Sequence, residues 1–299
     1  MATRDLPIVG DDFNVGFRFQ RYWDTSMANA FFSAEIGAGL FFVSLLFNFA
    51  PGMVGGLLIC AIFKSYFHLS HMGVPAKSWR AMLRPDRSWI SRGVLSIVIF
   101  TGFGVLHAAN VWLGLEAAIG FGPIVSGLVK IIAAGAALMV MTYQGFAMSH
   151  STAIALWSTG MMPISSLVYA NTAGLFIVLT MGWNGFLGDD PEARRVLTYV
   201  ALGGLGVIAA VLLSLLHAAH HGSPGGRKSV ELLTRSIYAK WFYGAICVTG
   251  LLIPAILLLL PTGFVSIVIT TVAMLIGFYA FRVLIFKAGV FEPIMSFKP

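Results

Sequence analysis

Eight runs of about 20 consecutive apolar residues punctuate this chain, and few folds can accommodate them. They lie at about 29–49, 52–72, 93–114, 123–147, 162–186, 196–218, 239–260 and 263–285. Backbone N–H and C=O groups find no water in a bilayer, so only helices and closed barrels cross it. Barrel strands are alternating segments of about 10 residues; these runs are longer and continuous, so they read as helices. Only 10% of the 299 residues are charged, and mean hydropathy is +0.86. That balance excludes an ordinary soluble enzyme, a disordered chain and a coiled coil. The expected fold is all-α: a polytopic membrane protein, a bundle of eight transmembrane helices. We read residues 1–28 as an N-terminal segment, 29–287 as one membrane domain and 288–299 as a tail. The mixed, charged first residues, with Arg4, Asp11, Asp12, Arg18 and Arg21, carry no removable signal peptide by this reading.

Turn residues divide the spans. Pro51-Gly52, Gly120 to Pro123 and Pro261-Thr262-Gly263 mark tight reversals, and longer polar loops fall at about 73–92, 187–195 and 219–238. No internal repeat or pair of inverted halves is visible.

Lys and Arg set the orientation. With eight spans, both termini share a side with the loops after spans 2, 4 and 6. That side carries Arg4, Arg18 and Arg21, then Lys77, Arg80, Arg84, Arg87 and Arg92. It also carries Arg227, Lys228, Arg235, Lys240, Arg282, Lys287 and Lys298. The other side offers Arg194 and Arg195, offset by Asp189, Asp190, Glu192 and Glu116. The bias predicts cytoplasmic termini in a bacterial inner membrane. The net charge of +7 then reflects loops facing anionic headgroups, with no call for nucleic acid. Lys130 is expected to snorkel outward past Glu116, and Trp89, Trp112 and Trp241 to form an interface belt. Cys60 and Cys247 are expected to be packed in the bundle, since two isolated cysteines build no cluster site.

Ionisable residues inside a membrane are costly and commonly functional. Glu35 lies about two turns into span 1, and a carboxylate at that depth needs a partner. Lys64, His68 and His71 follow i, i+4, i+7 spacing, so they share one face at the end of span 2. Tyr143, Gln144 and His150 fall near the same membrane face on span 4, and His217, His220 and His221 on span 6. His107 alone among the seven histidines is placed towards the opposite side. Plainer readings exist. His220-His221 before a Ser-Pro-Gly-Gly loop, and His150 between serines, fit helix boundaries, and Lys64 fits a snorkelling lysine.

Three chemistries suit such a face. A quinone headgroup needs proton-exchanging hydrogen-bond partners, with apolar grooves for its tail. A haem b needs facing histidines, for which His71, His150 and His217 are the candidates. A non-redox transporter usually concentrates polar groups at the midplane instead.

The stretch His68-Leu-Ser-His71-Met-Gly73-Val-Pro75-Ala-Lys77-Ser-Trp79, followed by Ser88-Trp89-Ile-Ser91, resembles the loop after span 2 in the membrane anchors of molybdenum oxidoreductases. These anchors are of the dimethyl sulfoxide reductase and polysulfide reductase (NrfD-like) type. Thr142-Tyr143-x-Gly145, Trp157 and Pro163 add a second, shorter match. The motifs cover spans 1 to 5; later spans match in hydropathy. The resemblance implies a quinone-binding anchor exchanging electrons with a four-cluster, ferredoxin-like iron–sulfur subunit. That subunit serves a molybdopterin catalytic subunit. It places His71 and Tyr143 at the quinone, which is ubiquinone or menaquinone. We add His68, Lys64, Glu35 and Lys77 as cofactor-binding candidates. The dimethyl sulfoxide branch begins span 3 with a functional Glu, whereas Arg92-Gly93 stands here. Glu35 or Lys64 then takes over proton handling. The basic loop suggests partners on the cytoplasmic face, as in sulfite-oxidising complexes of this type, with sulfoxide or sulfur-compound reduction as the other substrate class.

Overall fold

The computed structural model describes residues 17–118, 122–188 and 190–292; Arg4, Asp11, Asp12, Gly120, Phe121, Asp189 and Lys298, and the rest of the two terminal segments read above, lie outside the described residues. Eight helices are long and apolar enough to cross a membrane. They are α1 (Thr25–Leu46), α2 (Ala50–His71), α3 (Trp89–Leu113), α4 (Pro123–Ser149), α5 (Met161–Gly182), α6 (Pro191–Gly222), α8 (Ala239–Leu259) and α9 (Phe264–Lys287). The eight-helix bundle expected from the apolar runs is therefore what the chain forms.

Local chemistry sets their ends. Asp24 caps α1 by accepting from the N–H groups of Ser26 and Met27. Ser88 caps α3 in the same way, and Asp190 caps α6, where Pro191 occupies the first turn without needing a donor. α3 stops at Gly114, whose φ of 66° lies in the left-handed region open to glycine.

α1 and α5 are the most enclosed helices, and they cross at Gly39 and Gly174. A Cβ on Gly39 would run into the Ala170 carbonyl, so this backbone contact exists only with glycine. Around this axis stand two four-helix groups. α1 packs on α2 and α4, while α3 bridges α2 and α4. α5 packs on α6 and α9, while α8 bridges α6 and α9. Two apolar cores follow, one around Phe41, Phe100 and Met141, the other around Phe176, Phe278 and Phe286. This repeated packing order left no trace in the sequence, because every helix is apolar around much of its circumference.

One feature corrects the sequence reading and two add to it. The loop at 219–238 contains an amphipathic helix, α7 (Pro224–Thr234), capped by Ser223. A short antiparallel pair, β1 (Arg18–Phe19) and β2 (Val290–Phe291), ties the two ends of the described chain together. α2 and α8 are each partly π-helical, over Ile59–Lys64 and Phe242–Leu252. In α8 the wide turn precedes Pro254, which has no N–H to offer the helix ladder.

The tryptophans divide into two groups. Trp112 and Trp241 are exposed on the helix surface, while Trp23 stacks on Trp157 at 5.3 Å in the core. Cys60 is buried and Cys247 half-buried. Lys130 donates to Asn48 Oδ1 (3.1 Å), and no ion pair joins it to Glu116 among the described residues.

Candidate functional site

The polar residues of α2 open into one cavity. Lys64, Ser65, His68 and His71 form its first wall, and Ile90, Val94, Ile97 and Val98 of α3 form the second. Trp23 and Met27 close it at the start of α1, and Ser78, Trp79 and Met82 roof it. The roof belongs to a 3-10 helix, Pro75–Met82. Its volume of about 510 Å³ falls in the usual range for small-molecule sites. Most of the lining is apolar, and the ionisable groups sit on α2.

The π turn at Ile59–Lys64 helps aim those groups. Widening one turn shifts the residues after it around the helix axis, and Ser65 Oγ donates back five residues to the Cys60 carbonyl (3.3 Å). Lys64 is buried and has no carboxylate partner among the described residues. Buried His68 Nδ1 makes no hydrogen bond among them either. His71 Nδ1 lies 3.3 Å from Asp24 Oδ1, so the residue that caps α1 also orients this imidazole.

The other candidates stand apart from the cavity lining. Lys77 is exposed on the outer side of the 3-10 helix. Tyr143 is buried on the α4 side of α3, its ring against Gly93, and its hydroxyl accepts from Gln144 Nε2 (3.2 Å). Glu35 points into the bundle, where it meets Arg282 of α9. Its Oε2 lies 2.6 Å from Arg282 Nε, and Arg282 Nη2 donates to Ser166 Oγ of α5 (3.0 Å). Arg282 also lies over the rings of Phe281 and Phe278. Arg282 is therefore no surface cation of the cytoplasmic loops, as the charge count had it, but the buried partner of Glu35. The available signal was its position inside the last apolar run, opposite a carboxylate equally deep in the first.

The three histidines named for a haem have separate neighbours. His71 faces Asp24. His150 accepts from Trp89 Nε1 (3.3 Å), and its Nδ1 lies 2.9 Å from the Phe146 carbonyl. His217 is exposed and its ring lies 4.5 Å from that of His221. No hydrogen bond or ring contact joins any two of the three among the described residues, nor does any group of three potential ligands gather there. Arg92, which opens span 3 where the resemblance raised the expectation of a Glu, donates to the carbonyls of Pro85 and Asp86 and covers the Trp89 ring at 4.4 Å. It holds the loop in place.

The arrangement presents one cationic group and two imidazoles along one wall of a largely apolar chamber. Such groups can hydrogen-bond carbonyl oxygens, supply protons to them and take them back. A search of curated proteins found no match. A family profile described as "Polysulphide reductase, NrfD" matches residues 15–293.

Proposed function

The chain belongs to the NrfD family, a family of membrane subunits of quinone-linked oxidoreductase complexes, and on that premise we propose that it is the quinone-reactive anchor of a respiratory molybdopterin and iron–sulfur oxidoreductase. Electrons pass between ubiquinone or menaquinone in the membrane and a ferredoxin-like iron–sulfur subunit docked on the protein. That subunit connects to the molybdopterin subunit, where a sulfur compound such as sulfite, a sulfoxide or polysulfide reacts. The observation that carries this reading is the chamber itself, with Lys64, His68 and His71 along one wall of a largely apolar space of about 510 Å³.

A bound quinone supplies two-electron, two-proton redox chemistry. The protein's part is to hold the headgroup and manage its protons. Lys64 donates to one carbonyl oxygen and balances negative charge there; burial strengthens that interaction. His68 and His71 are the proton-exchanging groups, with Asp24 fixing the ring of His71. Tyr143 supports the α3 wall from within the bundle through Gly93, while Glu35, paired with Arg282, holds α1 to α9. Lys77, Arg80, Arg84 and Arg87 form the basic surface on which the partner docks. The termini and this loop face the cytoplasm of a bacterial inner membrane.

The test is purification of the intact complex by a tag on this chain, with identification of co-purifying subunits and extractable quinone. Iron–sulfur and molybdopterin subunits with quinone are expected. His71→Ala is expected to abolish quinone-linked turnover while the complex still assembles. A chain that purifies alone without quinone, or a His71→Ala complex with normal quinone turnover, would overturn the assignment. A reporter fused to the C-terminus is expected to score as cytoplasmic.

A further inference from the structure

A second groove lies between the same two helices, directly beyond the chamber. Val54, Leu57, Leu58 and Ala61 of α2 face Thr101, Val105, Ala108, Ala109, Trp112 and Leu113 of α3 across about 460 Å³. The two spaces are separated by less than one helical turn. Lys64 closes the chamber on α2 and Ala61 opens the groove; Val98 and Thr101 do the same on α3. On α3 the lining residues recur at three- and four-residue steps from Val94 to Trp112, so they form one stripe along one helix face.

We propose that this groove binds the isoprenoid tail of a long-chain quinone whose headgroup occupies the chamber. The inference rests on the quinone reading above and extends it to tail-length selectivity. Three observations favour this occupant. First, polar groups stand at one end only. Thr101, the one hydroxyl in the groove, already donates to the Ile97 carbonyl (2.8 Å). An occupant reaching both spaces therefore has a single polar head and a long apolar chain. Second, small side chains at Ala61, Ala108 and Ala109 leave the space between α2 and α3, and the lining is almost wholly apolar, which suits a single hydrocarbon chain continuing from the chamber. Third, the groove's stripe from Thr101 to Trp112 spans about 16 Å at 1.5 Å per residue, long enough to take several isoprene units. Trp112 and Leu113 stand exposed at its far end, where the tail passes into lipid. The Ile59–Lys64 π turn lies at the junction of the two spaces, with Lys64 lining the chamber and Ala61 lining the groove.

The test uses the purified complex in detergent with two quinones of identical headgroup, one short-tailed and one long-tailed. Val105→Trp and Ala109→Phe each fill the groove. Each is expected to raise the ratio of long-tail KM to short-tail KM by about tenfold or more, the size expected from excluding a few methylenes from their site. An unchanged ratio in both variants overturns the tail groove while leaving the quinone chamber standing. Wild-type complex that uses neither quinone overturns both. A long-tailed quinone with a photoreactive group at its tail end provides a readout independent of the variants' stability. Crosslinks to the Ala108–Leu113 stretch support the assignment; crosslinks confined to other helices overturn it. Co-purified phospholipid that the long-tailed quinone cannot displace from this seam, with crosslinks elsewhere, identifies the groove as a lipid site and likewise overturns the proposal.

Discussion

Arg282 and Glu35 meet 2.6 Å apart at full burial, although 247 positions separate them in the chain. The contact ties α9 to α1, and the Ser166 hydroxyl brings in α5. Neither charge is tolerable alone in an apolar bundle, whereas the pair together is. Removing one partner should therefore cost far more than removing both. Glu35→Leu and Arg282→Met are each expected to destabilise the protein by about 3–5 kcal/mol, and the double variant by clearly less than either. Denaturant or thermal unfolding in detergent measures this cycle. Losses that simply add would mean that the two charges stabilise the fold independently.

Gly93 and Tyr143 make a steric counterpart to that ionic pair. The Tyr143 ring lies where a Cβ on residue 93 would stand, so α3 and α4 are held at this distance by the absence of a side chain. Gly93→Ala is expected to cost about 1–3 kcal/mol by overpacking. Adding Tyr143→Ala should return part of that loss, because the new methyl then enters space the ring has vacated. The unfolding midpoints of the two single variants and the double variant decide the matter; no recovery in the double variant would place the strain elsewhere.

How much of this was readable beforehand follows from the range of each interaction. Lys64, His68 and His71 could be grouped because helical periodicity places i, i+4 and i+7 on one face. Glu35 could be identified as needing a partner from its depth alone. Its partner could not be identified: Arg282 is only five residues from the end of α9, where an arginine normally snorkels out, and pairing is decided by tertiary packing. Trp23, Trp79 and Met82 were equally invisible as chamber walls, since they arrive from the entry to α1 and from a loop. The π turn in α2 has no proline to announce it. Helix α7 was hidden in a segment rich in Gly and charge, where the single cue was Ser223-Pro224 at its start.

Asp24 links fold and site, and the two roles can be separated. Its carboxylate caps α1 and faces His71 Nδ1 at 3.3 Å. Asparagine caps a helix about as well as aspartate but carries no charge. Asp24→Asn is thus expected to change stability by less than about 0.5 kcal/mol. It should lower quinone-linked kcat/KM by up to about fivefold, the scale of a partly exposed ion pair. Asp24→Ala should lose about 1 kcal/mol of stability in addition. If Asp24→Asn leaves the kinetics unchanged, the Asp24–His71 contact has no part in positioning the imidazole.

Lys64 and Lys77 carry the same charge and stand close in sequence, yet the fold gives them different surroundings. Lys64 is buried in the chamber wall; Lys77 is exposed on the outside of the roof. A hydrogen bond from a charged donor in a buried site is worth about 1.5–3 kcal/mol, so Lys64→Met should raise the KM for quinone by about tenfold or more. Methionine keeps much of the stem's volume, which limits the packing loss. Lys77→Met should leave that KM within about twofold and instead weaken association with the partner subunit, with the difference fading at high salt as exposed charges are screened. Steady-state kinetics on the intact complex, paired with subunit retention across a salt series, separates the two. A Lys77 variant that raises the KM as much as a Lys64 variant would move the headgroup site out of the chamber and towards the loop surface.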